Sequence, residues 1–266
     1  MRLLLGQLAY LNTQPFEPFP GLRVFRASPA EIGRLAATSE LDAGLLSAGD
    51  LIANENRYSP LGDARGAFGI ACRKRAGSVF LLSRYPAEQL GGKLVEITRE
   101  TSTSVLLLRL WLEHRLGIER PDYRSGVTRE HDAVLLIGDD ALRERERPDP
   151  RFPFRFDLAS CWRDWTGLPF VFAIWSARRS LTPARRSELH ETITTSLERG
   201  IERIPEIAVE AAGPLGDRPA IVRYLSDFTY RFDEPERRGF ATFRRFMRET
   251  GLVPSSEPMR ETNGAS

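Results

Sequence analysis

Short apolar runs punctuated by small polar residues dominate the first two thirds of the chain, and a helical period takes over in the last third. Residues 3–9, LLLGQLA, have strand length and lead to Tyr10-Leu11-Asn12-Thr13-Gln14-Pro15, where Pro15 bars further pairing. Residues 22–27, LRVFRA, alternate and predict a second strand. Ser28-Pro29, with Glu31 three residues past the cap, predicts a helix start and a run to about residue 38. Residues 41–47, LDAGLLS, predict a strand ending in small polar residues, and 48–54 one or two helical turns. This β-α-β rhythm predicts a parallel sheet.

Further along, 67–72, 78–83 and 93–98 read as strands. Thr101-Ser102-Thr103-Ser104 opens an apolar helix over 105–116 that Gly117 stops. Residues 133–138, AVLLIG, predict a buried strand ending at Asp139-Asp140. A short extended stretch at 156–158, then Trp162, Trp165 and Thr166-Gly167-Leu168-Pro169, lead into an apolar strand at 170–175. Helices are predicted over 182–203, from Pro205, from Pro219 to about 225, and over 234–250, the last with Phe240, Phe243, Phe246 and Met247 on one face. Residues 255–266 are polar and predict a frayed tail. The expected organisation is α/β with two lobes: residues 1–84 together with 175–266, and an inserted lobe at 85–174. A cleft between them is a common ligand setting.

Composition narrows the function classes. The 266 residues include 41% hydrophobic and 28% charged, which suits a folded chain. The 38 basic and 36 acidic residues leave +2 and interleave, as in Arg143-Glu144-Arg145-Glu146-Arg147, so nucleic acid is not an expected partner. No window reaches membrane-spanning length, and the Leu3-Leu4-Leu5 run is cut short by Gly6-Gln7, so neither a membrane partner nor a secretory signal is expected and the cytoplasm is the expected compartment. Cys72 and Cys161 stand apart, and His114, His131 and His190 show no ligand spacing; no metal is expected.

The hydroxyl run at Thr101, Ser102, Thr103 and Ser104 is the best chemical signal. Helix-start N–H groups and the dipole favour an anion there, and without a Gly-rich turn or Lys a carboxylate suits the place better than a triphosphate. Ordinary capping needs only one such hydroxyl. Asp139, at a strand end, reads either as a ligand group or as a helix cap. Ser47, Ser78 and Asn12 read equally as turn or cap residues. Trp162 and Trp165 read as packing. No strong base is apparent, which favours a reaction driven by orientation and hydrogen bonding.

Taken in order, several segments resemble the chorismate dehydratase family of menaquinone biosynthesis, in its futalosine route. They are Tyr10-Leu11-Asn12-Thr13-Gln14-Pro15, LDAGLLS at 41–47, Ser78-Val79, Thr101-Ser102-Thr103-Ser104, Ile137-Gly138-Asp139 and TGLPFVFA at 166–173. The resemblance implies a fold like type II periplasmic binding proteins, two α/β lobes around an interlobe cleft. It implies a cytosolic lyase, monomer or homodimer, that dehydrates chorismate to 3-[(1-carboxyvinyl)oxy]benzoate without metal or organic cofactor. It makes Asn12 the catalytic residue, with Ser47, Ser78, Thr101, Ser102, Thr103, Ser104 and Asp139 around the substrate. Arg73, Lys74 and Arg75 are carboxylate candidates by proximity to Ser78. Thr101 stands where the family usually has Ser, and Gln14 and Gly49 also depart from its pattern. The alternatives are a sister enzyme that makes 1,4-dihydroxy-6-naphthoate and a solute-binding protein of a transporter.

Overall fold

The protein is described by a computed structural model that covers residues 3–63, 66–98, 102–126 and 130–252. Three parallel strands open the chain: β1 (Leu4–Leu8), β2 (Arg23–Ala27) and β3 (Ala43–Ser47), in register at Leu5↔Val24 and Leu5↔Ala43. Pro15 does end the first run, but as part of a 3-10 turn, Leu11–Phe16, that follows β1. Helix α1 (Pro29–Ala37) starts as its sequence predicts, with the Ser28 hydroxyl accepting from the Glu31 N–H. Glu31 does not complete the capping box; it pairs with Arg34 instead. Helix α2 (Ala48–Ala53) follows β3 directly. Strands β4 (Tyr58–Pro60), β5 (Gly62–Asp63) and β6 (Gly66–Cys72) are antiparallel additions.

A second sheet is built next. It contains β7 (Val79–Ser83), β8 (Leu94–Ile97), β9 (Asp122–Ser125), β10 (Ala133–Ile137) and β11 (Phe154–Asp157), in the order β11-β7-β10-β8-β9. Helix α3 (Thr103–Arg109) runs on into a π-helical turn, Leu110–Arg115, and ends before Gly117 at φ 69°. Helices α4 (Gly138–Glu146) and α5 (Leu158–Thr166) complete this lobe. The chain returns through β12 (Phe170–Arg178), then α6 (Pro183–Glu202), α7 (Ile204–Ala211), α8 (Arg218–Ser226), β13 (Phe228–Arg231) and α9 (Glu234–Glu249). The first sheet reads β13-β6-β12-β3-β1-β2, with β4 on β12 and β5 on β6.

The lobe boundaries differ from the expected ones. Residues 79–83, expected in the first lobe, pair with β10 and β11 at Leu81↔Leu135 and Leu81↔Phe156. Residues 170–174, expected in the second, pair with β3 and β6 in the first sheet. Both strands are buried on both faces, and such strands carry no facial pattern to say which sheet takes them. What turns the chain is local: Gly77 adopts φ 67°, and Asp157 accepts from the Ala76 and Gly77 N–H groups at 3.1 and 2.7 Å. Helix α5 and strand β13 were not anticipated. The expected tail at 255–266 lies outside the described residues.

The terminal helices bind the first lobe together. At Gly200, α6 comes so close to the 3-10 turn that an added Cβ would sit 1.8 Å from the Pro15 carbonyl oxygen. Phe16 and Phe19 stand edge-on to buried Trp175. Trp162 packs as expected, among Trp165, Phe170, Phe243 and Phe246, with its indole N–H on the Pro169 carbonyl at 3.2 Å.

Candidate active site

Parallel strands deliver their carboxyl ends to one side of a sheet, where loops can meet a ligand. In the first lobe that side carries Leu8, then Tyr10 and Asn12 on the 3-10 turn, Pro29 at the start of α1, and Ser47 at the end of β3. Behind them lie Ile70, Phe172, Ala173 and Phe228. The second lobe faces them with Ser78 and Val79 at the start of β7, Thr103 and Ser104 at the start of α3, and Ile137 and Gly138 at the end of β10. The two sets line a cleft whose free space, open solvent included, is about 530 Å³. None of these lining residues is charged. An anion held here would meet hydroxyls and backbone N–H groups in apolar surroundings, where such bonds are stronger than in water.

The polar atoms around this space are not equivalent. Asn12 Oδ1 is buried and has no hydrogen-bond partner among the described residues. A buried amide oxygen left unpaired costs about 1–3 kcal/mol, so the site favours a ligand that brings a donor to it. Thr103 Oγ1 accepts from the Gly49 N–H at 2.8 Å, which leaves its own proton to donate. Ser78 Oγ accepts from the Tyr224 hydroxyl at 2.9 Å, and the Ser78 carbonyl accepts from the Gly138 N–H at 2.8 Å. Gly138 has φ 56°, and an added Cβ would meet the Tyr10 ring at 2.6 Å. Helices α1 and α2 are capped by Ser28 and Ser47, whereas α3 and α4 start without a side-chain cap. Both helix starts belong to the second lobe and bring Thr103, Ser104 and Gly138 to the cavity, where the helix dipole favours negative charge.

Other predicted residues hold the lobes together. Ser102 does not line the cavity; its hydroxyl lies 2.6 Å from Ser47 Oγ and donates to Asp50 Oδ2 at 2.9 Å. Ser47 also donates to Asp50 Oδ2, at 2.6 Å, and accepts from the Asp50 N–H at 3.2 Å. Ser47 therefore lines the space with its hydroxyl already engaged. Asp139 is absent from the lining as well: its Oδ1 accepts from the Leu11 N–H at 3.2 Å, and burial pushes its carboxyl up. Asp139 is not the cap of α4, which begins at Gly138; it caps the 3-10 turn of the opposite lobe instead. Thr101 lies outside the described residues. Arg73 is paired with Glu236 and Asp233 at 2.6 and 3.1 Å, and Arg75 with Asp227 at 3.8 Å, so these two side chains serve the first lobe's own acids. Gln14 is exposed on the outer face of its turn. No group of His, Cys, Asp or Glu among the described residues is arranged to hold a metal, and no described helix is long and apolar enough to cross a membrane.

Sequence comparison places this geometry. The profile of a family described as "Menaquinone biosynthesis" matches residues 3–249. The chain belongs to that family. A chorismate dehydratase of Thermus thermophilus is 32% identical over 260 residues, covering 90% of this chain and 93% of the relative. A 1,4-dihydroxy-6-naphthoate synthase of Streptomyces coelicolor is 27% identical over 222 residues, covering 73% of this chain and 71% of the relative. Among solved structures, a protein of Archaeoglobus fulgidus superposes with TM-score 0.74 at 17% identity, covering 95% of this chain and 98% of that one. The periplasmic aliphatic sulphonate binding protein of Escherichia coli superposes with TM-score 0.60 at 13% identity, covering 98% and 96%. The fold is thus the two-lobed fold of periplasmic binding proteins, as expected.

For this member of the family, the sequence motifs pick out Asn12, Ser47, Ser78, Thr103 and Ser104 as cavity residues; they miss Phe228 in the lining, and Asp50 and Tyr224, which bond to the lining serines from outside it. Asp50 sits one turn into α2 and looks like an ordinary first-turn acid. Phe228 belongs to the unanticipated strand β13. Tyr224 shares the inner face of α8 with Ile221 and Leu225. A tyrosine on an apolar helix face is the available signal, because its hydroxyl needs a partner once buried.

Proposed function

We propose that this chain is a chorismate dehydratase, a hydro-lyase that converts chorismate to 3-[(1-carboxyvinyl)oxy]benzoate and water. The observation that carries the reading is Asn12 Oδ1, buried at the cavity wall and lacking a donor. Chorismate has two carboxylates and an ether, all acceptors, and one hydroxyl, its only donor at neutral pH. That hydroxyl is the group the reaction expels. Pairing it with Asn12 satisfies the amide and sets the leaving group beside it. The carboxylates then fall to the second-lobe side, where Thr103, Ser104, Ser78 and the uncapped starts of α3 and α4 supply donors.

The chemistry asks for little more. The C–H bond at the ether-bearing ring carbon breaks, its electron pair becomes the new ring double bond, and the adjacent C–O bond breaks as water departs. Aromatisation supplies driving force. Asn12 is no base, and the lining contains none, so the substrate's own side-chain carboxylate takes the proton and passes it to the departing hydroxyl, which leaves as water. Asn12 acts by orientation, its Oδ1 accepting from the hydroxyl and fixing the C–O bond that breaks. The protein acts in the cytoplasm, as a monomer or homodimer. The identity and coverage of the Thermus relative favour this reaction over that of the naphthoate synthase.

Asn12→Ala is expected to keep the fold and lower chorismate turnover by roughly 10²–10³-fold. The assay follows the ultraviolet spectrum as the cyclohexadiene becomes aromatic, with far-ultraviolet circular dichroism as the fold control. Undiminished turnover in a folded Asn12→Ala protein removes Asn12 from the mechanism. A wild-type protein inert to chorismate removes the reaction itself.

A further inference from the structure

Tyr224 is buried in α8 of the first lobe and donates across to Ser78 Oγ, at the start of β7 in the second, at 2.9 Å. The direction of this bond follows from counting. Ser78 is the only hydrogen-bond partner of the Tyr224 hydroxyl among the described residues, and Tyr224 does not reach the cavity. Were Ser78 the donor, the phenol proton would be buried without an acceptor. The phenol therefore donates and Ser78 Oγ accepts. That leaves the Ser78 proton, which has no acceptor among the described residues, while Ser78 itself lines the cavity. Burial holds the phenol well above its ordinary titration range, so it keeps its proton, and the Arg145 guanidinium, 5.9 Å from the ring centroid, polarises it further.

We propose that Tyr224 is a positioning residue that turns the Ser78 hydroxyl into a hydrogen-bond donor aimed at a ligand carboxylate in the cavity. A hydroxyl that accepts one hydrogen bond becomes a better donor of the next, so the pair acts as a two-membered chain ending at the ligand. The carboxylate identity rests on the dehydratase reading above; the orientation of Ser78 does not.

The test is a double-mutant cycle on the full chain: wild type, Ser78→Ala, Tyr224→Phe and the double variant, each assayed for chorismate kcat/KM and, by calorimetry, for 3-hydroxybenzoate as a carboxylate probe. Tyr224→Phe is expected to lose about tenfold in kcat/KM in the wild-type background and nothing further in the Ser78→Ala background. Losses that multiply would show that Tyr224 acts through packing and overturn the proposal. If the wild type ignores chorismate, the dehydratase reading falls, and the same cycle read on probe affinity still decides the role of Tyr224; a wild type that binds no carboxylate overturns both. Should Tyr224→Phe fail to fold, 3-fluorotyrosine at position 224 keeps the hydroxyl and the packing. Its fluorine resonance is expected to shift on adding the probe, and not to shift in the Ser78→Ala protein. A resonance indifferent to the probe in both overturns the proposal.

Discussion

Asp50 shows how far one side chain's chemistry depends on what closes over it. Ser47, Ser102 and the helix at Gly33 surround its carboxyl, and an added Cβ at Gly33 would meet the carboxylate at 2.7 Å. Burial pushes it from 3.8 up to about 6, with the Ser47 and Ser102 hydroxyls opposing the shift and no charged group contributing. Proton counting points the same way: three short oxygen contacts link Asp50, Ser47 and Ser102, and two hydroxyl protons cannot serve all three. With Asp50 ionised both hydroxyls donate to it and the contact between them goes unserved; with Asp50 protonated the carboxyl donates to Ser47, Ser47 to Ser102 and Ser102 back to the carboxyl, so all three are served. A carboxyl whose folded-state value is raised adds stability that is full below 3.8 and is lost as pH rises through about 6. Asp50→Asn mimics the protonated state. It is expected to flatten the fall in stability across that window and to be more stable than wild type at pH 8, on the order of 3 kcal/mol at most. Urea titrations from pH 4 to 8 measure this, and an unchanged pH slope would sink the account. Asn12 was legible as a residue at a strand end, but its unpaired oxygen was not. An orphan atom is defined by everything that fails to reach it.

At the scale of elements, the helices that follow residue 182 matter more to the site than their sequence suggests. Helix α6 lies against the 3-10 turn that carries Asn12, with Gly200 over Pro15 and the Ser196 hydroxyl donating to the Pro18 carbonyl at 2.6 Å. Gly200→Ala forces a backbone carbonyl to move, since neither side of the contact is a flexible side-chain end. We expect a loss of about 1–3 kcal/mol in urea unfolding and, in the folded fraction, a fall in chorismate turnover through displacement of Asn12. Normal turnover per folded molecule would show that the turn is positioned by β1 alone. The helix starts at 28 and 182 were readable from their Ser-Pro and Thr-Pro pairs, and both caps form. Helix α5 was not readable from its apolar spacing. Its start is set by Asp157, whose Oδ1 accepts from Ala159 and Ser160 at 3.0 and 3.1 Å.

For the whole molecule, Asp157 is where the two chain crossings are tied. The same carboxylate that caps α5, which leads to the return crossing at 167–169, also holds the N–H groups of Ala76 and Gly77 in the outward one. Asp157→Ala abandons all four donors. It is expected to cost about 2 kcal/mol and to broaden the distribution of lobe separations in small-angle X-ray scattering of the ligand-free protein. An identical scattering profile would place the hinge elsewhere. By itself the sequence determined the α/β class, the helix starts at 28 and 182, and the stretches from which Asn12, Ser78, Thr103 and Ser104 come, because strand length and capping pairs are local. Only the tertiary structure decided that β7 belongs to the second sheet, that Asp139, Ser102 and Asp50 join the lobes, and that Tyr224 reaches Ser78 across 146 positions. Those contacts arise where the two lobes meet. A chain read one residue after another carries no record of which distant atoms will meet there.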